Sequence, residues 1–453
     1  MSVFTAMNAA VSGMRAMGQQ MSAISDNLAN AQTVGYKKVD MRFQEMVTTS
    51  NPNRHNAGGV MSAPLLQVNV QGAITRTTST TNLAIDGNGL FSLSKPNYRT
   101  DGTLSFESNY FGRGGDFEMD KNGYLVNSAG YMLNGWAVTD PDKRTVNPNE
   151  QPIRITRMRD APSQTTYVNY TANLPKVPDK AQDTDSATPD IEFPPTQVRV
   201  YDKFGEARDL SMTWVKLDPS DAANAGLWRL DLSVNDGDLT NGAGPGTGIS
   251  YTVQFSPDDG TLQWINPGAT PPVPAPTPAA GTVQNIDLGI LDPGATGPWN
   301  IELRLGKVGD AADSITQFAS EGIQMPRPEQ DGVPPGSFQG ITIDKDGFVN
   351  MNYTNGRVVP AFKIPLAVVP NPNAMSLETG AVFRATAESG LPTLVSAGEF
   401  GAGRIAPTSV ETSNVDIADE FTKMIVGQRV YSANARMVSA SDEILQETIN
   451  LAR

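Results

Sequence analysis

The first thirty residues carry a regular stripe of apolar and small positions. The steps between its members alternate between three and four residues, the spacing of one helix face in a coiled coil. The members are Phe4, Met7, Val11, Met14, Gly18, Met21, Ser25 and Leu28. Only Arg15 and Asp26 are charged in this segment. The pattern predicts an amphipathic helix whose stripe packs against another helix.

A second near-heptad series runs to the end of the chain. Its members are Phe421, Ile425, Gln428, Tyr431, Ala435, Val438, Asp442, Leu445 and Ile449. Ser413 and Asn414 precede it and are typical helix-capping residues, and the acids at 416, 419 and 420 suit the positive end of a helix dipole. These features predict a helix over 415–451, about 55 Å long at ~1.5 Å per residue.

Between the two ends, the pattern is typical of β-strands. Apolar alternation, an Asp-led turn with Gly, and renewed alternation occur in 117–126 and 341–349, and in looser form in 200–205 and 255–262. Asp-Gly and Asn-Gly favour the positive φ angles of tight hairpins. Asp344-Lys345-Asp346 also resembles the start of a calcium loop. An EF-hand needs an oxygen ligand and then Gly where this chain has Phe348 and Val349, so we predict a hairpin turn.

The order of these patterns predicts a nested architecture in a mainly β protein with terminal α-helices. Segments 177–196, 236–250 and 267–282 are rich in Pro, Gly, Asp or Thr and are predicted as linkers or long loops, the last being a stiff exposed loop rather than a docking motif. The terminal helices are expected to pair in a coiled-coil-like domain, with discontinuous β-domains farther out. The predicted divisions are a helical assembly domain (1–30 and 413–453), a spacer or hinge (31–69 and 406–412), an inner β-domain (70–149 and 316–405) and an outer β-domain (150–315).

Composition narrows the classes of function. The 453 residues include 34 Lys+Arg and 48 Asp+Glu, a net charge of −14, which argues against binding to nucleic acid or anionic membranes. No apolar run is long enough for a transmembrane helix, so no membrane insertion is predicted. The first residues lack the basic and apolar regions of a signal peptide. We therefore expect either a cytoplasmic protein or export by a route that reads no such peptide.

Candidate catalytic chemistry is sparse. Cysteine is absent and the single histidine, His55, lies in the polar segment 53–59, which rules out disulfides, thiolate catalysis and a His-pair metal site. A carboxylate hydrolase remains an alternative only because the chain has 48 acidic residues. No G-x-S-x-G motif or P-loop occurs. We predict no catalytic residues, no metal and no cofactor.

The terminal stripes have three possible partners: neighbouring copies of the chain, the chain's own β-domain, or helices of another protein. Methionine is frequent in both helices, and its flexible side chain tolerates sliding and alternative packing. The residues are Met7, Met14, Met17, Met21, Met424 and Met437. A head-to-tail contact between copies would grow an open helical polymer instead of a closed ring. Periodicity alone favours self-assembly and leaves the other two open.

Three sets of residues resemble signatures of the bacterial flagellar rod and hook axial proteins. Segment 25–37 is similar to their Asn-Leu-Ala-Asn-x-x-Thr-x-Gly-Tyr-Lys motif, and 83–91 to their Leu-Ala-Ile-x-Gly-x-Gly-Phe-Phe motif, with Leu90 in place of Phe. The C-terminal signature is matched by 413–416, 424–434 and 442–446. The long insert containing 198–205, and 316–320 ahead of 340–344, resemble the hook subunits of this family. A distal-rod-like subunit is the alternative.

The resemblance implies a structural subunit that polymerises into a curved, flexible tube, joins rod to filament and transmits torque as a universal joint. The terminal helices would line the tube, with the β-domains at larger radius. The implied partners are copies of itself, the rod, hook-cap and hook–filament junction proteins, and the flagellar type III export apparatus, which would place the protein outside the cell without a cleavable signal. The absence of cysteine rules out the Lys–Cys crosslink known in some hooks. The expected hinge residues are Asn30, Thr33, Gly35, Tyr36 and Lys37, of which Asn30 suits a helix end and Gly35 a positive φ.

Overall fold

The computed structural model of the protein describes residues 3–47, 57–98, 104–179, 183–185, 187, 189–221, 224–235, 238–240, 245–246, 248–268, 278–291, 299–324 and 328–451. His55 and most of the Pro-rich segment predicted as a loop, residues 269–277, lie outside the described residues.

A helix stands at each end of a mainly β chain, which confirms the predicted fold class. Helix α1 spans Val3–Ala29 and helix α2 spans Ile417–Leu451, and the two are in contact. The Oδ1 atom of Asp416 accepts hydrogen bonds from the backbone nitrogens of Ala418 (2.9 Å) and Asp419 (3.2 Å) and so caps α2. The cap is therefore Asp416, and not Ser413 or Asn414 as the sequence suggested.

The described residues form two compact units. Unit 1 contains Met1–Arg157, Phe338–Tyr353 and Arg357–Arg453, and unit 2 contains Met158–Ser337 and Thr354–Gly356. The boundary predicted between 315 and 316 falls inside unit 2. The backbone nitrogen of Thr316 donates to the Ala172 carbonyl (2.9 Å), and that of Gln324 donates to the Asn173 carbonyl (2.9 Å). Residues 316–337 are thus built into unit 2 by hydrogen bonds to its N-terminal part.

Among the residues that the structure describes, unit 1 is organised around one sheet of thirteen strands. Its main path runs through Phe338–Ile343, Phe348–Tyr353, Val358–Lys363, Met132–Asp140, Leu90–Tyr98, Leu104–Gly112, Val382–Arg384 and Ser376–Glu378. Attached to it are Thr145–Pro152, Leu366–Val368, Thr393–Val395, Glu118–Met119 and Leu125–Val126, and a 3-10 turn covers Pro372–Ala374. The core is apolar, with Phe91 and Phe117 in edge-to-face contact at 5.5 Å between ring centroids.

Three strand pairs connect the helices to this sheet. Ile74–Arg76 pairs with Ser409–Glu411, and Leu83–Asp86 pairs with Arg404–Pro407. Val39–Val47 and Ala57–Leu66 form an antiparallel hairpin. The segments predicted as a spacer, 31–69 and 406–412, therefore contain ladder hydrogen bonds. The strand that begins at Ala57 also takes in the end of 53–59, which was expected to be a loop.

The described part of unit 2 contains two six-stranded sheets. One contains Pro245–Gly246, Asp238–Thr240, Val283–Leu291, Trp299–Lys307, Tyr167–Asn169 and Glu329–Gln330, and the other contains Ile191–Glu192, Thr196–Tyr201, Ala207–Lys216, Leu227–Val234, Gly248–Phe255 and Leu262–Pro267. Trp214, Trp228 and Tyr170 are buried in its core. The strands inside 177–196 and 236–250 show that these segments are only partly loop.

The Asp-led motifs form hairpin turns, as predicted. The Oδ1 atom of Asp344 accepts hydrogen bonds from the backbone nitrogens of Asp346 (3.1 Å) and Phe348 (2.8 Å). Asp120 makes the equivalent bonds to Asn122 and Tyr124. These carboxylates are used as acceptors for turn backbone, which is the local interaction that Asp favours in turns.

Candidate assembly site

Helices α1 and α2 lie antiparallel, as three contacts along their length show. Asn27 Nδ2 donates to Glu420 Oε2 at 3.0 Å. Farther along, a Cβ atom added at Gly427 would lie 3.7 Å from Met21 Cγ, and one added at Gly13 would lie 2.8 Å from Asn434 Nδ2. The α1 residue number falls as the α2 number rises, so the two termini of the chain share one end of the pair.

The face of α2 that meets α1 is polar and small. It follows a seven-residue repeat through Glu420, Gly427, Asn434 and Ser441, which are buried or half-buried. Met424, Val438 and Leu445 flank this repeat and are half-buried. Because glycine has no side chain, the helices approach closely at Gly427. The antiparallel pair therefore uses less apolar surface of α2 than its sequence offers.

Three of the six large apolar residues predicted for the α2 seam, Phe421, Ile425 and Tyr431, are exposed. Phe421 is 48% exposed and Ile425 is 53% exposed. Gln428 and Tyr431 are also exposed, whereas Val438 and Leu445 are half-buried. Ile449 lies in the helix, but its side chain is outside the described residues. In this single copy, the predicted stripe is thus divided between the α1 contact and solvent.

The predicted stripe of α1 is half-buried along most of its length. Met7, Val11, Met14, Met21 and Leu28 are half-buried, and Phe4 is exposed. The most buried side chains of α1 lie beside this stripe: Ala10, Ala16, Ile24 and Asn27.

The β-hairpin covers another face of α1. The backbone nitrogen of Val60 donates to Ser12 Oγ at 3.1 Å, and Ser62 Oγ donates to Gln19 Oε1. A side chain at Gly59 would overlap Ser12 Oγ, so the strand can approach the helix only because this residue is glycine. Helix α1 is therefore held between α2 and the hairpin.

At its C-terminal end, α1 is fixed by Asn27, a buried side chain with four hydrogen bonds. Its Nδ2 donates to the Val39 carbonyl (2.8 Å) and to Glu420 (3.0 Å). Its Oδ1 accepts from the Val39 nitrogen (2.9 Å) and from the Tyr36 hydroxyl (3.2 Å). Burial, and then the Asp26 and Glu420 carboxylates, raise the pKa of Tyr36 to about 12, so this phenol remains a donor. One amide thus connects α1, the segment after it, the hairpin and α2.

Lys37, Arg113 and Glu411 form a buried triad. The Lys37 Nζ atom lies 2.6 Å from Glu411 Oε1, and Arg113 Nη1 lies 3.0 Å from Glu411 Oε2. All three side chains are at most 4% exposed. Burial lowers the pKa of Lys37, and the Glu411 carboxylate opposes that shift. The two cations share one anion, so the Glu411 carboxylate stabilises the buried charges of both Lys37 and Arg113.

Backbone groups complete the coordination of the triad. Lys37 Nζ also donates to the Val70 carbonyl (2.6 Å), and Arg113 Nη2 donates to the Gly87 carbonyl (2.7 Å). Glu411 Oε1 accepts from the Gly72 nitrogen (2.8 Å). These bonds satisfy the charged groups where water is excluded, and they fix segments 35–37, 70–72 and 409–411 to the main sheet.

A second polar cluster surrounds the start of α2. Asn414 accepts from the Lys38 nitrogen (2.8 Å) and donates to the carbonyls of Gln67 (3.1 Å) and Val70 (3.0 Å). Lys423 Nζ lies 3.1 Å from Asp419 and 3.6 Å from Asp40. Burial acts to lower the pKa of Lys423, but its hydrogen bond to Asp419 and the nearby carboxylates outweigh burial and raise that pKa.

The five residues expected to act as a hinge are held to different degrees. Asn30 and Thr33 bond to each other just beyond α1, and Asn30 Nδ2 also donates to the Asp26 carbonyl (2.9 Å). Gly35 has a φ of +68°, and its nitrogen donates to the Glu411 carbonyl (2.8 Å). Tyr36 and Lys37 are buried. The sequence reasoning missed Asn27, Arg113 and Glu411, although Asn27 lies inside the signature segment 25–37.

The described residues show neither a group of three or more acidic or histidine side chains arranged to hold a metal ion, nor a helix long and apolar enough to cross a membrane.

Four family models match the chain in order. They are the flagella basal body rod protein (7–37), the flagellar hook protein FlgE/F/G D1 domain (84–158), the flagellar basal body protein FlaE D2 domain (168–333) and the flagellar basal body rod FlgEFG protein C-terminal model (406–451). The first and last cover most of α1, all of α2 and the segment that contains Glu411.

Full-length relatives decide the family. The chain is 31% identical to the flagellar hook protein FlgE of Brucella suis and 31% identical to that of Rhizobium meliloti, with 100% of both chains covered in each case. The chain belongs to the flagellar hook protein FlgE family. The crystal structure of Helicobacter pylori flagellar hook protein FlgE2 aligns with 75% of this chain and 100% of that one, at 14% identity and a TM-score of 0.47.

Membership of this family gives the protein its role. It is the subunit of the bacterial flagellar hook, a structural protein without enzymatic activity, located outside the cell in the flagellum. The family also implies that the subunit polymerises with copies of itself.

Proposed function

We propose that the α1–α2 pair forms the contacts between hook subunits, and that the outward face of α2 supplies their apolar part. The observation that carries this proposal is the exposure of large apolar side chains along α2 in a single copy. They are Ile417, Phe421, Ile425, Val426, Val430, Tyr431, Met437 and Ile444. An exposed apolar surface of this extent on one helix is typical of a protein–protein interface.

Seven of these eight side chains lie on two faces of α2. Ile417, Phe421 and Ile425 are spaced by four residues and form one line along the helix. Val426, Val430, Met437 and Ile444 follow steps of four, seven and seven and form another. With α1 on a third side, α2 is suited to touch more than one neighbouring copy. This arrangement supports an open polymer with closely packed inner helices.

The subunit must also transmit torque from its helices to its β-domain. Rotation carried by the helices reaches the β-domain through segments 30–38 and 409–416. The buried triad and Asn27 hold these segments by short, charge-assisted hydrogen bonds, which supports a firm coupling in place of a loose hinge. Bending would then take place between subunits, where a net charge of −14 and Gly-rich loops suit weakly bonded neighbours.

The remaining partners are proposals from family membership. The tube would join rod to filament as a universal joint, and its ends would meet rod, hook-cap and hook–filament junction proteins. The subunit would leave the cell through the flagellar type III export apparatus.

The test is a double variant of the full-length chain, Phe421→Asp with Ile425→Asp. We expect no tubes by electron microscopy and no pelletable polymer, with an unchanged β-sheet signal by circular dichroism, because two charges would enter the buried contact. The matched control is Leu391→Asp with Phe400→Asp, since these apolar residues of unit 1 are 87% and 86% exposed and lie outside the helices. Normal tubes from the helix variant would contradict the proposal.

A further inference from the structure

The outward face of α2 carries four charged residues in a fixed order. Arg429, Arg436, Glu443 and Glu447 are separated by seven, seven and four residues. At about 100° per residue they lie within about 40° of one another around the helix. They also lie about half a turn from Glu420, Gly427, Asn434 and Ser441, which face α1. All four are exposed.

These charges have no counterpart within their own helix. Neither arginine has an acidic residue three or four positions away, which is the spacing of helix ion pairs. The structure assigns no ion pair to any of the four among the described residues. Glu443 and Glu447 are four residues apart, so their like charges repel each other. A nearby positive charge from outside the helix would relieve this repulsion.

We propose that the Glu443–Glu447 end of α2 in one subunit binds the Arg429–Arg436 segment of α2 in the next subunit, with the helices parallel and displaced along their axes. This inference rests on the proposed assembly role of the helices and adds the register and the polarity of the contact. Ile417, Phe421 and Ile425 lie N-terminal to the arginines, so the charges and the apolar line adjoin on α2.

The spacing sets the size of the displacement. The midpoints of the arginine pair and the glutamate pair are about 12.5 residues apart, which corresponds to about 19 Å at ~1.5 Å per residue. Each α2 offers an acidic end to one neighbour and a basic segment to another. The two surfaces differ, so the contact is head-to-tail and leaves a free surface at each end of a growing row. Opposite charges at this contact would also disfavour other registers.

The experiment uses charge reversal in the full-length chain. The acidic variant combines Arg429→Glu and Arg436→Glu, and the basic variant combines Glu443→Arg and Glu447→Arg. Each alone should need an at least about tenfold higher protein concentration to assemble than the original chain. A one-to-one mixture should assemble near the original concentration, because each variant then supplies the charge that the other lacks. A chain with all four changes should also assemble by itself.

The matched control is Lys121→Glu with Lys345→Glu, which changes the net charge as the acidic variant does, at two exposed turn positions. It should assemble normally. Assembly is measured by pelleting, sedimentation velocity and electron microscopy, and association of the original chain should weaken between about 50 and about 500 mM NaCl. Motility of cells that lack the native chain and express each variant is a second measurement, and it should show the same loss and rescue.

Three results would overturn the inference. They are normal assembly of the acidic or basic variant, failure of both the mixture and the four-residue exchange to restore assembly, and a closed antiparallel dimer as the product of the original chain. If these variants assemble normally while Phe421→Asp with Ile425→Asp does not, the register is wrong and the assembly role stands. If that apolar double variant also assembles, both proposals fail.

Discussion

The Nζ atom of Lys37 lies 2.6 Å from the Oε1 atom of Glu411, although the two residues are 374 positions apart in the chain. Glu411 belongs to a strand that leads into α2, and Lys37 follows shortly after α1. Their ion pair thus joins the segment that follows α1 to the segment that leads into α2. Arg113, directly after the sheet strand Leu104–Gly112, binds the other oxygen of the same carboxylate at 3.0 Å.

Removal of this carboxylate should destabilise unit 1 strongly. In Glu411→Ala, Lys37 and Arg113 stay buried without their anion, and we expect the free energy of unfolding to fall by about 3–5 kcal/mol. Chemical denaturation followed by circular dichroism measures the change. Glu399→Ala removes an exposed carboxylate of the same unit and should cost less than about 0.5 kcal/mol. A loss below about 1 kcal/mol for Glu411→Ala would show that the triad does not hold the junction.

Gly35 offers a test of the close approach beside the triad. Its φ is +68°, and a Cβ atom there would overlap the backbone nitrogen of Gly114. Gly35→Ala should therefore cost about 1–3 kcal/mol more than the backbone conformation alone requires. Gly130→Ala isolates that conformational cost, because Gly130 has a φ of +84° and open space where the Cβ would be. Equal unfolding free energies for the two variants would contradict this prediction.

Lys216 in unit 2 should make stability depend on pH. The side chain is buried over the Trp228 ring and donates to the carbonyls of Asn224 and Leu227, both at 2.8 Å. Burial lowers its pKa from 10.5 to about 8. The unfolded chain then binds more protons than the folded one between these values, so the stability of unit 2 should rise from about pH 8 to about pH 10.5.

The measurement for Lys216 is denaturation followed by tryptophan fluorescence across this range. Lys216→Met should abolish the rise, because it removes the lysine whose pKa burial lowers. It should also cost about 1–3 kcal/mol, since two buried carbonyls lose their donor. Lys307→Met, at an exposed lysine of the same unit, should keep the rise. A rise that persists in Lys216→Met would assign the titration to another group.

Local patterns predicted the helices and the turns well. The C-terminal helix was expected over 415–451 and spans Ile417–Leu451, because its periodicity and acidic first turn are properties of neighbouring residues. The turn at Asp344 was predictable for the same reason: the carboxylate bonds to nitrogens two and four residues later. Interactions between residues so close in the chain can be predicted from the sequence alone.

Contacts between distant segments were not predictable in this way. The face of α2 against α1 is built from Glu420, Gly427, Asn434 and Ser441, and a search for apolar periodicity selects the neighbouring line instead. Val438 and Leu445 belong to the predicted apolar stripe and are half-buried. Toward the end of the helix, this stripe runs beside the line of residues that faces α1. The triad was missed since no spacing rule relates residues 37, 113 and 411.

The interruption of unit 1 by unit 2 has a consequence for how the chain acquires its structure. Unit 2 is almost one continuous segment, Met158–Ser337, whereas unit 1 needs residues from both ends, including the pair Lys37 and Glu411. Whether such a chain is threaded out from its first residue or from its last, nearly all of unit 2 is available before unit 1 can close. Long-range closure is the slower step in folding, so the junction should form last. A subunit with an open junction could not yet present a fixed helix pair, which would delay its incorporation until its own folding is complete.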